Sequence, residues 1–279
     1  MRETQVREQA KRAHPLAQTT PPFRRTGNLT PQRPPNALTP QRSTQGNPPP
    51  ANASLTETHP LEMFQRLLAA TEQSFNQHLL SHPLVSELRA GRIGRGHYVA
   101  YLRETWHLVK HTPRIFAQAA AGLGDDQREL RSWLLQQAEE ENNHDLLCVA
   151  DLKRLGKDPQ AVLGQTPGAG VWGLITQDYY FATGGDARCL IGTASLSEQL
   201  GATVAAPVME ALSKTADIPP EALGFIRSHG VVDSGHFDSI RRIANRVIRE
   251  SDFEAVVDAR RRSIAYSAQV LSDILESAP

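Results

Sequence analysis

Cysteine is nearly absent: Cys148 and Cys189 are the only two in 279 residues. They are too few and too far apart for a disulfide framework or a thiol-ligated zinc site, which fits a reducing compartment such as the cytoplasm. No run of 18 apolar residues occurs, so a membrane-spanning helix is not expected, and the N-terminus lacks the apolar segment of a secretory signal. Net charge is also missing, with 30 basic against 30 acidic side chains. That balance hides an asymmetry. Residues 1–55 carry eight Lys and Arg against only Glu3 and Glu8, leaving a segment of +6 before a remainder of −6. An acidic body argues against nucleic acid as a partner. Clusters of β-branched residues and alternating stretches are absent as well, so strands are not expected.

The chain divides by composition. Ten of its 19 prolines precede residue 51, and residues 1–55 are rich in Pro, Gln and Arg without apolar periodicity. Such a segment buries too little apolar surface to offset an ordering cost of roughly 1–2 kcal/mol per residue, which predicts disorder. It reads either as a solvated extension without a role or as an address or export leader. Residues 56–279 read as helix throughout, with apolar spacing of 3 and 4 in Leu61, Phe64, Leu67 and Leu68, and again in Tyr98, Tyr101, Leu102, Trp106 and Val109. Further helical stretches are expected over 128–155, 171–183, 186–214, 220–250 and 252–276. Breaks fall at Pro113, Gly156, Gly184 with Gly185, and Pro219 with Pro220. The reading is an all-α bundle of seven or eight helices following a disordered tail.

In such a bundle a carboxylate or imidazole on an apolar stripe must be paired or bound to metal. Four helices carry that anomaly. Glu104 shares a stripe with His97, Tyr101, Leu108 and His111; Glu141 and His144 stand three apart; Glu198 interrupts Ile191, Ala194, Ala202 and Ala205. The fourth stripe holds His229, Asp233 and His236 before Ile240 and Ile243. Two carboxylate-x-x-His pairs and two single glutamates match the ligand count of a carboxylate-bridged two-metal site. Oxygen and imidazole donors without thiolate suit iron or manganese. A single Glu-x-x-His on a helix usually means a surface or capping pair, so the weight lies in the conjunction. Other candidates have plainer explanations. His107 reads as a partly exposed histidine and His111 as a group behind the ligands or an alternative ligand. Cys148 and Cys189 read as packing thiols, and Trp172, Tyr179, Tyr180 and Phe181 as core aromatics rather than a substrate wall. Lys110, Arg114, Lys153 and Arg154 read as surface charges rather than a carboxylate clamp.

Glu104, Glu141-x-x-His144, Glu198 and His229-x-x-x-Asp233-x-x-His236 resemble the haem-oxygenase-like diiron oxidases and oxygenases, over residues 60–275. The additional His229, one turn before Asp233, separates that pattern from ferritin-like proteins. The resemblance implies the seven-helix haem oxygenase fold, shared with the thiaminase II and pyrroloquinoline-quinone-synthase families. It implies two Fe(II) ions, the second weakly held, and dioxygen as co-substrate. Glu141, His144 and His229 would hold one iron and Glu104, Asp233 and His236 the other, with Glu198 bridging or completing the second. The substrate expected is a small molecule derived from an amino acid or a fatty acid. An external electron donor and a homodimer are compatible partners; nucleic acid and membrane are not expected. Haem oxygenase activity is disfavoured, since only His59 lies near the proximal-ligand region. The competing readings are a secreted helical effector on the same fold and a metal-free, thiaminase-type enzyme relying on cysteine.

Overall fold

The computed structural model describes residues 62–277 except 216 and 231–233, and for 229, 230 and 234–236 it describes the backbone alone. The expected tail, and with it His59, therefore lies outside the described residues. Among the described residues every regular element is helical, and no helix is long and apolar enough to cross a membrane.

The first helix, α1 (Met63–Phe75), buries Phe64, Leu67, Thr71 and Phe75, a single stripe at spacings of 3, 4 and 4. A π-helical turn over Asn76–Leu80 prolongs it. Next come α2 (Pro83–Arg89), α3 (Arg95–Val109), α4 (Thr112–Gly122), α5 (Arg128–Glu140), α6 (Asp145–Arg154) and the short α7 (Pro159–Leu163). The C-terminal half holds α8 (Ala169–Thr183), α9 (Cys189–Ser213), α10 (Gly224–Gly230), α11 (Ser234–Val247) and α12 (Phe253–Glu276). Local chemistry starts several of them. His82 Nδ1 accepts the Leu84 N–H at 3.1 Å at the start of α2, and Asp158 Oδ1 accepts the Gln160 N–H at 3.0 Å at the start of α7. The last turns of α9 include Pro207, which has no N–H to give the carbonyl of Thr203.

Among the described residues twelve α-helical segments are distinguished within the expected bundle, because some long periodic runs are interrupted. The run 128–155 breaks into α5 and α6 at a turn over residues 141–144, where Asn143 takes φ 72°, a left-handed conformation that asparagine tolerates. The stretch 220–250 divides into a 3₁₀ turn at Pro220–Ala222, then α10 and α11. The expected helices 171–183, 186–214 and 252–276 correspond to α8, α9 and α12.

Helix α8 contains one charged residue, Asp178, and packs against α3, α4, α9 and α12. Its first amides meet carboxylates from two other helices: Gly168 N–H donates to Glu104 Oε2 at 2.8 Å and Gly170 N–H to Asp273 Oδ2 at 3.3 Å. Negative charge at a helix N-terminus is favourable. Helix α12 runs beside α1, α8 and α9, and glycines set how closely. A Cβ on Gly170 would lie 2.5 Å from Val270 N and 2.6 Å from Tyr266 O; one on Gly192 would lie 2.7 Å from Val256 O.

Gly170→Ala is therefore expected to lower stability by about 1–3 kcal/mol through overpacking. Gly122→Ala, with no atom within 4 Å of the added methyl, should raise it by about 0.4–1 kcal/mol. Denaturant midpoints of the two variants check the contrast, and equal shifts would contradict the close approach of α8 and α12.

Candidate functional site

A cavity of about 1000 Å³ runs through the bundle, lined by residues of α2, α3, α5, α8, α9, α10 and α12. Its wall is mostly aliphatic, with Leu84, Leu88, Leu174, Leu200, Val204 and Ile274 among the contributors. Carboxylates break that surface at Glu104, Glu140, Glu141, Asp178 and Glu198, and His97 and His144 join them. Arg89 is the sole arginine or lysine among the described lining residues.

Four of the seven expected metal ligands thus share one chamber. Glu141 and His144 touch: Nδ1 of the imidazole lies 2.9 Å from Glu141 Oε2, both side chains partly buried. That hydrogen bond raises the pKa of His144, outweighing burial. In the neutral ring it fixes the Nδ1–H tautomer and leaves the lone pair on Nε2, the arrangement that second-shell carboxylates give to metal-binding histidines. The pair does not sit on a helix as expected. Glu141 ends α5 and His144 precedes α6, so the turn through Asn142 and Asn143 sets their separation. Glu198 reaches the chamber from α9, half-buried, and none of Glu140, Glu141, His144 and Glu198 stands without a partner.

Glu104 is fully buried, as its position on an apolar stripe implied, but local hydrogen bonds already engage both of its oxygens. Arg103 Nε donates to Oε1 at 2.8 Å, and the Gly168 amide occupies Oε2. The side chains of His229, Asp233 and His236 lie outside the described residues. Among the described residues, no three His, Cys, Asp or Glu side chains come close enough to hold one ion. The donors lining the chamber nevertheless have the chemistry that iron takes: carboxylates and imidazoles, with no described thiol in the wall.

Several lesser candidates take definite positions. His97 closes the start of α3, its Nδ1 accepting the Gly94 N–H at 3.2 Å. His107 is buried rather than partly exposed; Nε2–H donates to the Gln165 carbonyl at 2.8 Å, and burial lowers its pKa. His111 stands beside Tyr179, Nδ1 to hydroxyl 3.1 Å, and does not line the chamber. Trp172 and Tyr180 are neither core nor chamber wall: they are 60% and 62% exposed on the outer side of α8. Lys110 lies over the Trp106 ring and Arg154 pairs with Asp151, so neither clamps a ligand in the chamber. Cys148 is completely buried in an apolar cluster, and Cys189 is 3% exposed with its thiol pushed up to about 12 by burial.

Three polar groups of consequence escaped the sequence reading. Asp151 is fully buried and accepts the Phe225 N–H at 2.7 Å and Arg154 Nη1 at 2.9 Å, tying the start of α10 to α6. Arg260 is fully buried on α12. Asp178 stands in the chamber wall on α8. Each interrupts an apolar helical stripe, the same signal that singled out Glu104 and Glu198, so the pattern offered a way to find them.

No curated protein shows detectable sequence similarity to this chain. Solved structures do resemble it. A domain of unknown function with a haem oxygenase-like fold from Shewanella denitrificans is 23% identical, with a TM-score of 0.70 over 76% of this chain and 92% of that one. A TenA homologue from Pseudomonas syringae pathovar tomato is 14% identical, with a TM-score of 0.64 over 77% and 93%. A haem oxygenase from Synechocystis, in complex with haem, is 13% identical, with a TM-score of 0.55 over 77% and 95%. These likenesses show a haem oxygenase-like fold. Residues 99–268, well over half of the chain, match the family described as iron-containing redox enzymes. The chain belongs to the iron-containing redox enzyme family.

Proposed function

We propose that this protein is an O2-dependent, non-haem diiron oxidase or oxygenase acting on a small molecule. The observation that carries the reading is the Glu141–His144 pair, facing the same large and otherwise aliphatic chamber as Glu104 and Glu198. Family membership supports iron as the metal. Glu141, His144, Glu198, His229, Asp233 and His236 would hold two Fe(II) ions, with Glu104 contributing through the lone pairs that Arg103 and Gly168 leave available. Bound iron would supply the electrons that activate dioxygen.

The chain's own part is positioning and exclusion of water. The Glu141 carboxylate orients the His144 ring, and the turn at Asn143 places both at the chamber edge. Aliphatic walls from α2, α9 and α12 surround a substrate and keep bulk water from the reacting bond. The position of the cysteines gives thiol chemistry of the thiaminase kind little support. Cys148 is completely buried and outside the chamber, and burial raises its pKa, the reverse of what an attacking thiolate needs.

Anaerobic Fe(II) titration of the full chain, followed by desalting and metal analysis, tests the assignment. Retention of about one to two ions per chain is expected. Oxygen exposure should then produce a transient visible absorption. His144→Ala and His236→Ala should each weaken iron binding by at least about 10–100-fold, with helix content by circular dichroism unchanged. A wild-type chain that retains no iron overturns the reading; loss of helix in both variants would mean that these side chains serve the fold.

A further inference from the structure

Asp178 is a buried carboxyl that the iron site does not use. It is 8% exposed and lines the chamber together with Thr193 of α9 and Ser263 of α12. Thr193 Oγ1 donates to Asp178 Oδ1 at 3.1 Å. The neighbouring hydroxyl is committed elsewhere, because Ser263 Oγ donates to the Ala259 carbonyl at 3.0 Å and accepts from Gln177 Nε2 at 2.8 Å. Thr193 and Gln177 are the described side chains that favour the carboxylate form of Asp178, and no described lysine or arginine forms an ion pair with it. Burial drives its pKa up to about 7, against the opposing hydrogen bonds of Thr193 and Gln177.

A buried carboxylate without a counter-cation is costly, and a cationic group entering the chamber would relieve that cost. The surroundings indicate what that partner is. On α8, Val171, Leu174 and Asp178 follow one another at spacings of 3 and 4, so two aliphatic side chains precede the carboxyl along one wall. Val270 and Ile274 of α12 line the same chamber. Glu104, Glu141 and Glu198 belong to the proposed iron site, whereas Asp178 is a carboxyl of this wall assigned neither to iron nor to a described cation. At Asp178 itself a carboxylate ligand would meet like charge, whereas an ammonium supplies both hydrogen-bond donors and the positive charge that no described residue provides there.

We propose that Asp178, oriented by Thr193, is the polar anchor of a subsite that binds an amino group attached to an aliphatic body. The inference rests on the oxidase reading and deepens it by naming the substrate class as aliphatic amines. Its test uses protein stripped of metal, so either reading can fail without the other.

The full chain, treated with chelator and held near pH 8 so that carboxyl and amine are both charged, is titrated by calorimetry with octylamine, octanol and octanoate. Octylamine is expected to bind about tenfold or more tightly than the other two. Asp178→Asn should weaken octylamine by about 10- to 100-fold, leave octanol unchanged, and melt no lower than the wild type. Thr193→Val, which keeps the shape and removes the donor to Oδ1, should weaken octylamine by a smaller factor. Equal binding of octylamine and octanoate overturns the proposal, and so does octylamine affinity unchanged in both variants.

Discussion

A buried guanidinium organises the bundle. Arg260 is fully enclosed and forms no ion pair among the described residues; it is satisfied by the Thr71 hydroxyl of α1 and, on α9, by the Gly192 carbonyl, the Ser195 hydroxyl and the Gln199 amide oxygen. Burial brings its pKa down to about 10 without discharging it at neutral pH. A charge taken so far from water tolerates little loss of its acceptors, so those partners fix the register of α1, α9 and α12 together. The consequence reaches the chamber through helical geometry. With Gly192, Ser195 and Gln199 turned toward Arg260, the other side of α9 presents Ala194, Ser197, Glu198 and Gly201 to the cavity.

The chamber built this way has distinct chemical neighbourhoods. Polar groups from α3, α5, the turn before α6, and α9 supply oxygen and imidazole donors, while α2, the far part of α9, and α12 offer branched aliphatic surface. Asp151, buried beneath α10, holds the start of that helix against α6 through the Phe225 amide. The donors proposed for iron and the walls proposed for a substrate therefore come from the same few helices, and their relative placement depends on buried polar contacts rather than on apolar packing alone.

Much of this was legible in the sequence because helical periodicity is local. The stripes of α1, α8, α9 and α12 follow from 3- and 4-residue spacing, and the burial of Glu104 follows from its place among apolar neighbours. What the spacing could not reveal was the identity of distant partners. Glu104 lies 64 residues before Gly168 and meets it only after α3 and α8 pack. The turn at 141–144 was missed because Glu141 and His144 also satisfy an i, i+3 helical pattern; the consecutive asparagines between them were the local sign of a break. Trp172 and Tyr180 were misplaced because aromatic content says nothing about which side of a helix faces inward. Asp178 passed unnoticed inside an almost wholly apolar helix.

The proline in the last turns of α9 has its own implication for the chamber wall. Where Pro207 withholds a donor from Thr203, the helical ladder lacks a rung, and bending concentrates at such points. Thr203, Val204, Pro207 and Val208 all border the interior space. At its α9 side that space is therefore bordered by a stretch of helix held by one backbone hydrogen bond fewer, beyond the part that the guanidinium anchors.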